Sequence, residues 1–143
     1  MHIRNEEIMN ILVIDAQGGG LGKQLIAMIK KELPEEKITA IGTNSAATAA
    51  MLKAGANEAA TGENSVVVAC RKADVIIGPM GIIIADAMLG EITPAMALAV
   101  TQSDAKRILI PFRHCDNFIV GVKDFSTGKL IAEAVEHLKE ICG

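Results

Sequence analysis

The chain has 143 residues, half of them hydrophobic, and a formal net charge of -3. With a pI near 5.6 it lacks the basic face that general nucleic-acid binding needs, and so apolar a composition excludes a disordered chain. Three Phe, no Trp and no Tyr leave few rings on which to stack bases or sandwich a flavin.

Residues 1 to 9 read as a polar lead-in, too polar for a signal peptide, with Ile8 and Met9 joining the first strand. That strand is the apolar run Ile11-Leu12-Val13-Ile14, ending at the acid Asp15. The glycine-rich stretch to Lys23 leads into a helix that ends near Leu33, ahead of Pro34. Residues 38–42 form a second strand. Asn44 or Ser45 caps an alanine-rich helix that stops near Ala54-Gly55. Residues 57–61 are a weak third strand, and residues 63–72 a third helix.

Asp74 to Gly78 reads as the fourth strand, broken at Gly78-Pro79-Met80-Gly81. The apolar stretch from Ile82 to Leu89 contains one acid, Asp86. Thr93-Pro94 is a strong helix start, a cap followed by proline at the first helical position, and that helix runs to about Ser103. Residues 107–111 form a fifth strand and Phe118 to Val122 a sixth. A closing helix runs from Ser126 or Thr127 to Cys142, with Leu130, Ile131, Ala134, Val135, Leu138 and Ile141 inward. Alternating strands and helices, with several strands apolar throughout, are the pattern of a parallel sheet covered on both faces.

The stretch ILVIDAQGGGLGKQ, residues 11–24, holds the strongest chemical signal. A strand meets four glycines within five residues, Gly18, Gly19, Gly20 and Gly22, and then a helix. Such a turn aims backbone N–H groups and the positive end of a helix dipole at an anion, usually a phosphate. A glycine turn without a ligand is the plainer alternative, but a bare turn does not need so many. The P-loop pattern GxxxxGK[ST] would require Gly at 17 and Ser or Thr at 24, and both are Gln. Without the hydroxyl that holds Mg²⁺, ATP or GTP hydrolysis is disfavoured.

The dinucleotide pattern GxGxxG falls on Gln17, Gly19 and Gly22. The second strand ends in Thr43-Asn44-Ser45 rather than the acid expected to hold an NAD ribose. These neutral groups would tolerate a 2′-phosphate, so NADP is expected at least as readily as NAD. The candidate cofactor residues are Asp15, Gln17, Gly18, Gly19, Gly20, Leu21, Gly22, Lys23, Thr43, Asn44, Ser45, Gly78, Pro79, Met80 and Gly81. Of these, Asp15 is expected to brace the turn by accepting its N–H groups.

The glycine turn also resembles that of short-chain dehydrogenases, whose TGxxxGxG would fall on residues 15–22. Gly20 and Gly22 match, whereas Asp15 and Ala16 depart from it. That family's catalytic Tyr has no counterpart, so this resemblance implies nucleotide binding at most. Over nearly the full length, IDAQGGGLGK at 14–23, GTNS at 42–45, GPMGI at 78–82 and ADAMLGEITP at 85–94 resemble a family of short uncharacterised bacterial proteins. That family is a domain of unknown function with a Rossmann-like fold, and it implies a fold but no activity.

The expectation is therefore one Rossmann-like domain over residues 1–143, a three-layer α/β sandwich with a mainly parallel sheet of five or six strands. It would bind a nucleotide or dinucleotide, NAD(P) first. A non-catalytic sensor or interaction module is an alternative, and so is a small Cys115-dependent enzyme. His114-Cys115-Asp116 is the cluster of catalytic residue types behind that last reading, although neighbours in sequence point apart. Asp86 is expected to cap a helix or pair with a partner subunit. His2 and His137 lie in unrelated segments, so no structural zinc is expected. The odd count of three cysteines, Cys70, Cys115 and Cys142, points to reduced thiols and a cytoplasmic location. A mean hydropathy of +0.36 on a short chain points to a homo-oligomer, with no membrane and no nucleic-acid partner.

Overall fold

A computed structural model describes residues 8–112 and 117–143. Its elements, in order, are β1 (Asn10–Asp15), α1 (Gly20–Glu32), β2 (Lys37–Gly42), α2 (Ser45–Lys53), β3 (Glu58–Thr61), α3 (Glu63–Lys72), β4 (Val75–Pro79), a 3₁₀ turn (Met80–Ile83), α4 (Pro94–Gln102), β5 (Lys106–Ile110) and α5 (Thr127–Cys142). The five strands form one parallel sheet in the order β3-β2-β1-β4-β5. The central strand β1 is flanked by β2 and β4, so the strand order reverses beside it. In open α/β sheets, a ligand sits outside the carboxyl ends of the strands at such a reversal.

Successive side chains of β1 point to opposite faces, and both faces are apolar. Ile11 and Val13 pack with Leu25, Ile26 and Ile29 of α1 and Leu138 of α5. Leu12 and Ile14 pack with Val66 of α3 and Val100 of α4. These side chains are all fully buried, each contributing roughly 1.5–3 kcal/mol relative to exposure. That double burial accounts for the unbroken apolar run. Among the described residues, no helix is long and apolar enough to cross a membrane.

Two helix caps follow the sequence closely. The Asn44 side chain accepts from the Ala47 N–H at 2.9 Å, and the Thr93 hydroxyl from the Met96 N–H at 3.2 Å. Three expectations are corrected. Residues 118–122 form no strand: the Val122 N–H closes a turn on the Ile119 carbonyl, Gly121 has a φ of 92°, and Phe118 and Val120 are exposed. Among the described residues the sheet therefore has five strands. Ile8 and Met9 precede β1; Met9 is buried, while Ile8 lies exposed. Asp86 caps no helix. It is exposed at a φ of 65°, inside a turn whose ends are joined by its N–H donating to the Ile92 carbonyl at 2.7 Å.

Candidate functional site

The glycine turn leaves the carboxyl end of β1 and enters α1. Asp15 is 4% exposed, and both its oxygens are used. Oδ1 accepts the Ala16 N–H at 2.8 Å and Oδ2 the Gly22 N–H at 2.7 Å. Asp15 is thus the brace of the turn. Burial pushes its carboxyl above the ordinary value, against the lowering effect of these two amides; the nearby Glu91 charge raises it further.

The glycines divide into two kinds. Gly19 has a φ of 74°, and a Cβ there would lie 2.9 Å from the Ala47 Cα, so α1 and α2 approach through it. A Cβ on Gly22 would meet the Met51 sulfur at 2.5 Å and the Asp15 Cβ at 3.0 Å. Gly18 and Gly20 differ: both are exposed, and a Cβ at either would have nothing within 4 Å. Packing therefore does not call for glycine at 18 and 20. Among the described residues, no acceptor meets the N–H groups of Gly18, Gly20 and Leu21. Lys23 lies exposed in the same first turn of α1.

Thr43, Asn44 and Ser45 follow β2, and the structure brings Thr43 and Asn44 against the glycine turn. The Asn44 side-chain amide donates to the Gln17 carbonyl at 2.9 Å. Ser45 is exposed at the start of α2. Gly78 and Pro79 lie buried in β4, and Gly78 is required by the close approach of the Ile14 carbonyl in β1. Met80 and Gly81 form the 3₁₀ turn, where Gly81 faces Met88 and Ala87. Glycine at 78 and 81 thus has a packing explanation that glycine at 18 and 20 lacks.

Sequence reasoning missed Glu91. Its Oε1 accepts from the Gln17 N–H at 2.8 Å, the Thr43 hydroxyl at 2.6 Å and the Asn44 side-chain amide at 2.9 Å. The Thr43 bond leads in holding this carboxyl below its ordinary value, with Gln17 and Asn44 adding to it. Glu91 is presented by an unusual turn. Asp86, Met88 and Leu89 are non-glycine residues at φ of 65°, 58° and 59°, and Gly90 follows at 88°. The signal that could have found it is isolation: Asp86 and Glu91 are the only charged residues between Asp74 and Asp104. Its position corrects one expectation. The end of β2 is not a neutral surround for a 2′-phosphate, because a carboxylate occupies it.

A groove of about 400 Å³ lies elsewhere, between α3 and the sheet, lined by Thr39, Ile41, Ala60, Ser65 and Val68. No residue of the glycine turn lines it. Cys70 and Cys142 are buried on opposite faces of the sheet, and burial pushes the Cys70 thiol up to about 11. Cys70 is therefore not poised as a thiolate. His114, Cys115 and Asp116 lie outside the described residues, as does His2. His137 faces Glu140 on the exposed side of α5. Among the described residues, no three His, Cys, Asp or Glu side chains gather as a metal site.

Residues 10–143 match the model of a family described as Domain of unknown function (DUF3842). The chain belongs to that family. No curated protein matches the sequence. Among solved structures, the chain is similar to an FMN-dependent cysteine decarboxylase, TvaF, from thioviridamide biosynthesis. That likeness has a TM-score of 0.50 at 11% identity and covers 92% of this chain and 86% of that one. It is also similar to a dodecameric FMN-dependent Ubix-like decarboxylase from Escherichia coli O157:H7, with a TM-score of 0.45 at 15% identity, covering 92% and 76%. At such identity the TvaF likeness bears on the fold alone, and it agrees with a Rossmann-like α/β sandwich. The family, described only as a domain of unknown function, lends the preference for NAD(P) no support.

Proposed function

We propose that residues 1–143 act as one Rossmann-like domain that binds a nucleotide-type ligand, its phosphate on the backbone of Gly18 to Leu21. One contrast carries this reading. Gly19 and Gly22 are glycines because neighbouring atoms demand it, whereas Gly18 and Gly20 face open space beside amides that meet no acceptor among the described residues. A turn shaped by packing alone has no use for the second pair. A phosphate does, because it must reach the backbone closely at the positive end of a helix dipole. Lys23 adds charge at the same helix end.

FMN joins NAD, NADP, AMP and ATP as a candidate because the similar TvaF chain is FMN-dependent. Its phosphate end fits the open glycines as any phosphate does. Its ring would find few aromatic partners, since the chain's rings are three Phe. The reading assigns no catalytic residue.

Thermal-shift screening against these ligands and inorganic phosphate is the test. A ligand at a hundred times its dissociation constant should stabilise by about 2.7 kcal/mol. Gly20→Val should abolish the shift while leaving the unliganded melt nearly unchanged. If every ligand is silent, or if Gly20→Val binds as the parent does, the proposal fails.

A further inference from the structure

The glycine turn offers amides to a phosphate, yet the carboxylate beside it would repel one. The two features belong together if they face different parts of one ligand. Glu91 is held firmly. Its Oε1 collects three donors, and those donors are themselves fixed. Asn44 also holds the Gln17 carbonyl through its Nδ2 and the Ala47 N–H through its Oδ1, and the Thr43 N–H donates to the Asp15 carbonyl at 3.1 Å. Oε2 takes part in none of these bonds and keeps its accepting capacity. The carboxylate stands at the end of β2, against the residue that precedes Gly18. A nucleotide with its phosphate on the amides of 18, 20 and 21 would carry its sugar past this point.

We propose that Glu91 reads the sugar of the bound nucleotide, so that the site takes ribonucleotides with a free 2′,3′-diol and rejects those that are 2′-phosphorylated or 2′-deoxy. The inference rests on the phosphate site proposed above. A carboxylate oxygen accepts from two adjacent hydroxyls, which a deoxyribose supplies only in part. A 2′-phosphate would bring like charge against Glu91. The acid comes from the loop between β4 and α4, not from the end of β2 itself, which is why Thr43 and Asn44 are neutral: they are donors that orient it.

The test is calorimetric titration of the wild-type protein with AMP, 2′-deoxy-AMP, NAD, NADP and inorganic phosphate, repeated with Glu91→Gln. AMP should bind about tenfold tighter than 2′-deoxy-AMP, and NAD about tenfold tighter than NADP. Glu91→Gln should narrow the NAD to NADP ratio to within about threefold, because it removes the charge that repels the 2′-phosphate. Equal affinity for AMP and 2′-deoxy-AMP would overturn the inference and leave the phosphate site standing. A NAD to NADP ratio left unchanged by Glu91→Gln would also overturn it. Binding of FMN alone, with the adenine nucleotides silent, would do the same. Silence from all these ligands would remove the phosphate site and this inference together. The ribose and deoxyribose comparison uses the unaltered protein, so it holds even if the variant folds poorly.

Discussion

The Gln17 N–H donates to the Glu91 carboxylate at 2.8 Å across 74 residues of chain. This bond ties the loop after β4 to the turn after β1, on the two sides of the point where the strand order reverses. Glu91 therefore acts on the glycine turn through its backbone, and Glu91→Ala should loosen both segments together. Amide hydrogen exchange should speed up at Gln17, with a modest loss of global stability of about 1 kcal/mol. Unchanged exchange at Gln17 would show that the bond does not hold the loop.

The two kinds of glycine give opposite responses to alanine. Neither Gly18 nor Gly20 has a positive φ, and each faces open space. Gly18→Ala and Gly20→Ala should leave stability unchanged or raise it by about 0.5 kcal/mol, because alanine restricts the unfolded chain. Gly19→Ala combines a left-handed φ with a clash against the Ala47 backbone, and should cost about 2 kcal/mol or more. Urea denaturation of the three variants decides it. Equal destabilisation of all three would erase the distinction.

Asp15→Ala removes the acceptor of two buried N–H groups and should cost roughly 3 kcal/mol. Asp15→Asn keeps one acceptor oxygen but sets an NH₂ group against the other amide, so an intermediate loss is expected. If the Asn variant matches the wild type in denaturant midpoint, the brace relies on a single bond.

Acid titration separates the two carboxylates. Asp15 is raised by burial, so its contribution to stability is full below the ordinary 3.8 and is lost as pH rises through its higher folded value. Glu91 is lowered, chiefly by the Thr43 hydroxyl, so its contribution is full above the ordinary 4.5 and is lost as pH falls through its lower folded value. Carboxyl ¹³C titration by NMR should find Asp15 above its ordinary midpoint and Glu91 below its own. Glu91→Gln should move Asp15 downward by removing a repelling charge. A Glu91 midpoint at or above the ordinary value would contradict the three-donor arrangement.

The face of α4 that points outward carries no charge. Its residues Pro94–Gln102 are all neutral, with Leu98 54% exposed and Leu89 of the preceding turn 96% exposed. We expect this surface to be covered by a second copy of the chain. Light scattering at micromolar concentration should give a dimer or larger, and Leu98→Glu should shift it toward monomer. A wild-type mass of 15.0 kDa would end this expectation.

Most of the fold was legible because the parallel sheet buries its strands on both faces. Long apolar runs such as Ile11 to Ile14 and Val75 to Ile77 leave little ambiguity, and Asn44 and Thr93 mark helix starts by their own chemistry. Phe118 to Val122 misled for the same reason: strand-forming residue types say nothing of whether a pairing partner exists. The brace at Asp15 could be foreseen, since it acts within seven residues of itself. Glu91 could not, because its partners lie in two distant segments and only the closed sheet brings them together.

Because β1 is central, its second neighbour arrives late in the chain. Asn10 and Asp74 bond to each other in both directions across 64 residues, at the open end of the β1–β4 pair. As the chain emerges from the ribosome, the first three strands and the whole glycine turn are available before β4 exists. Closing so long a loop is slow and entropically costly, and Glu91 cannot reach Gln17 until it is done. The order of synthesis thus makes the turn early and clasps it only after β4 has been added, so the clasp marks a chain whose central strand has both its neighbours.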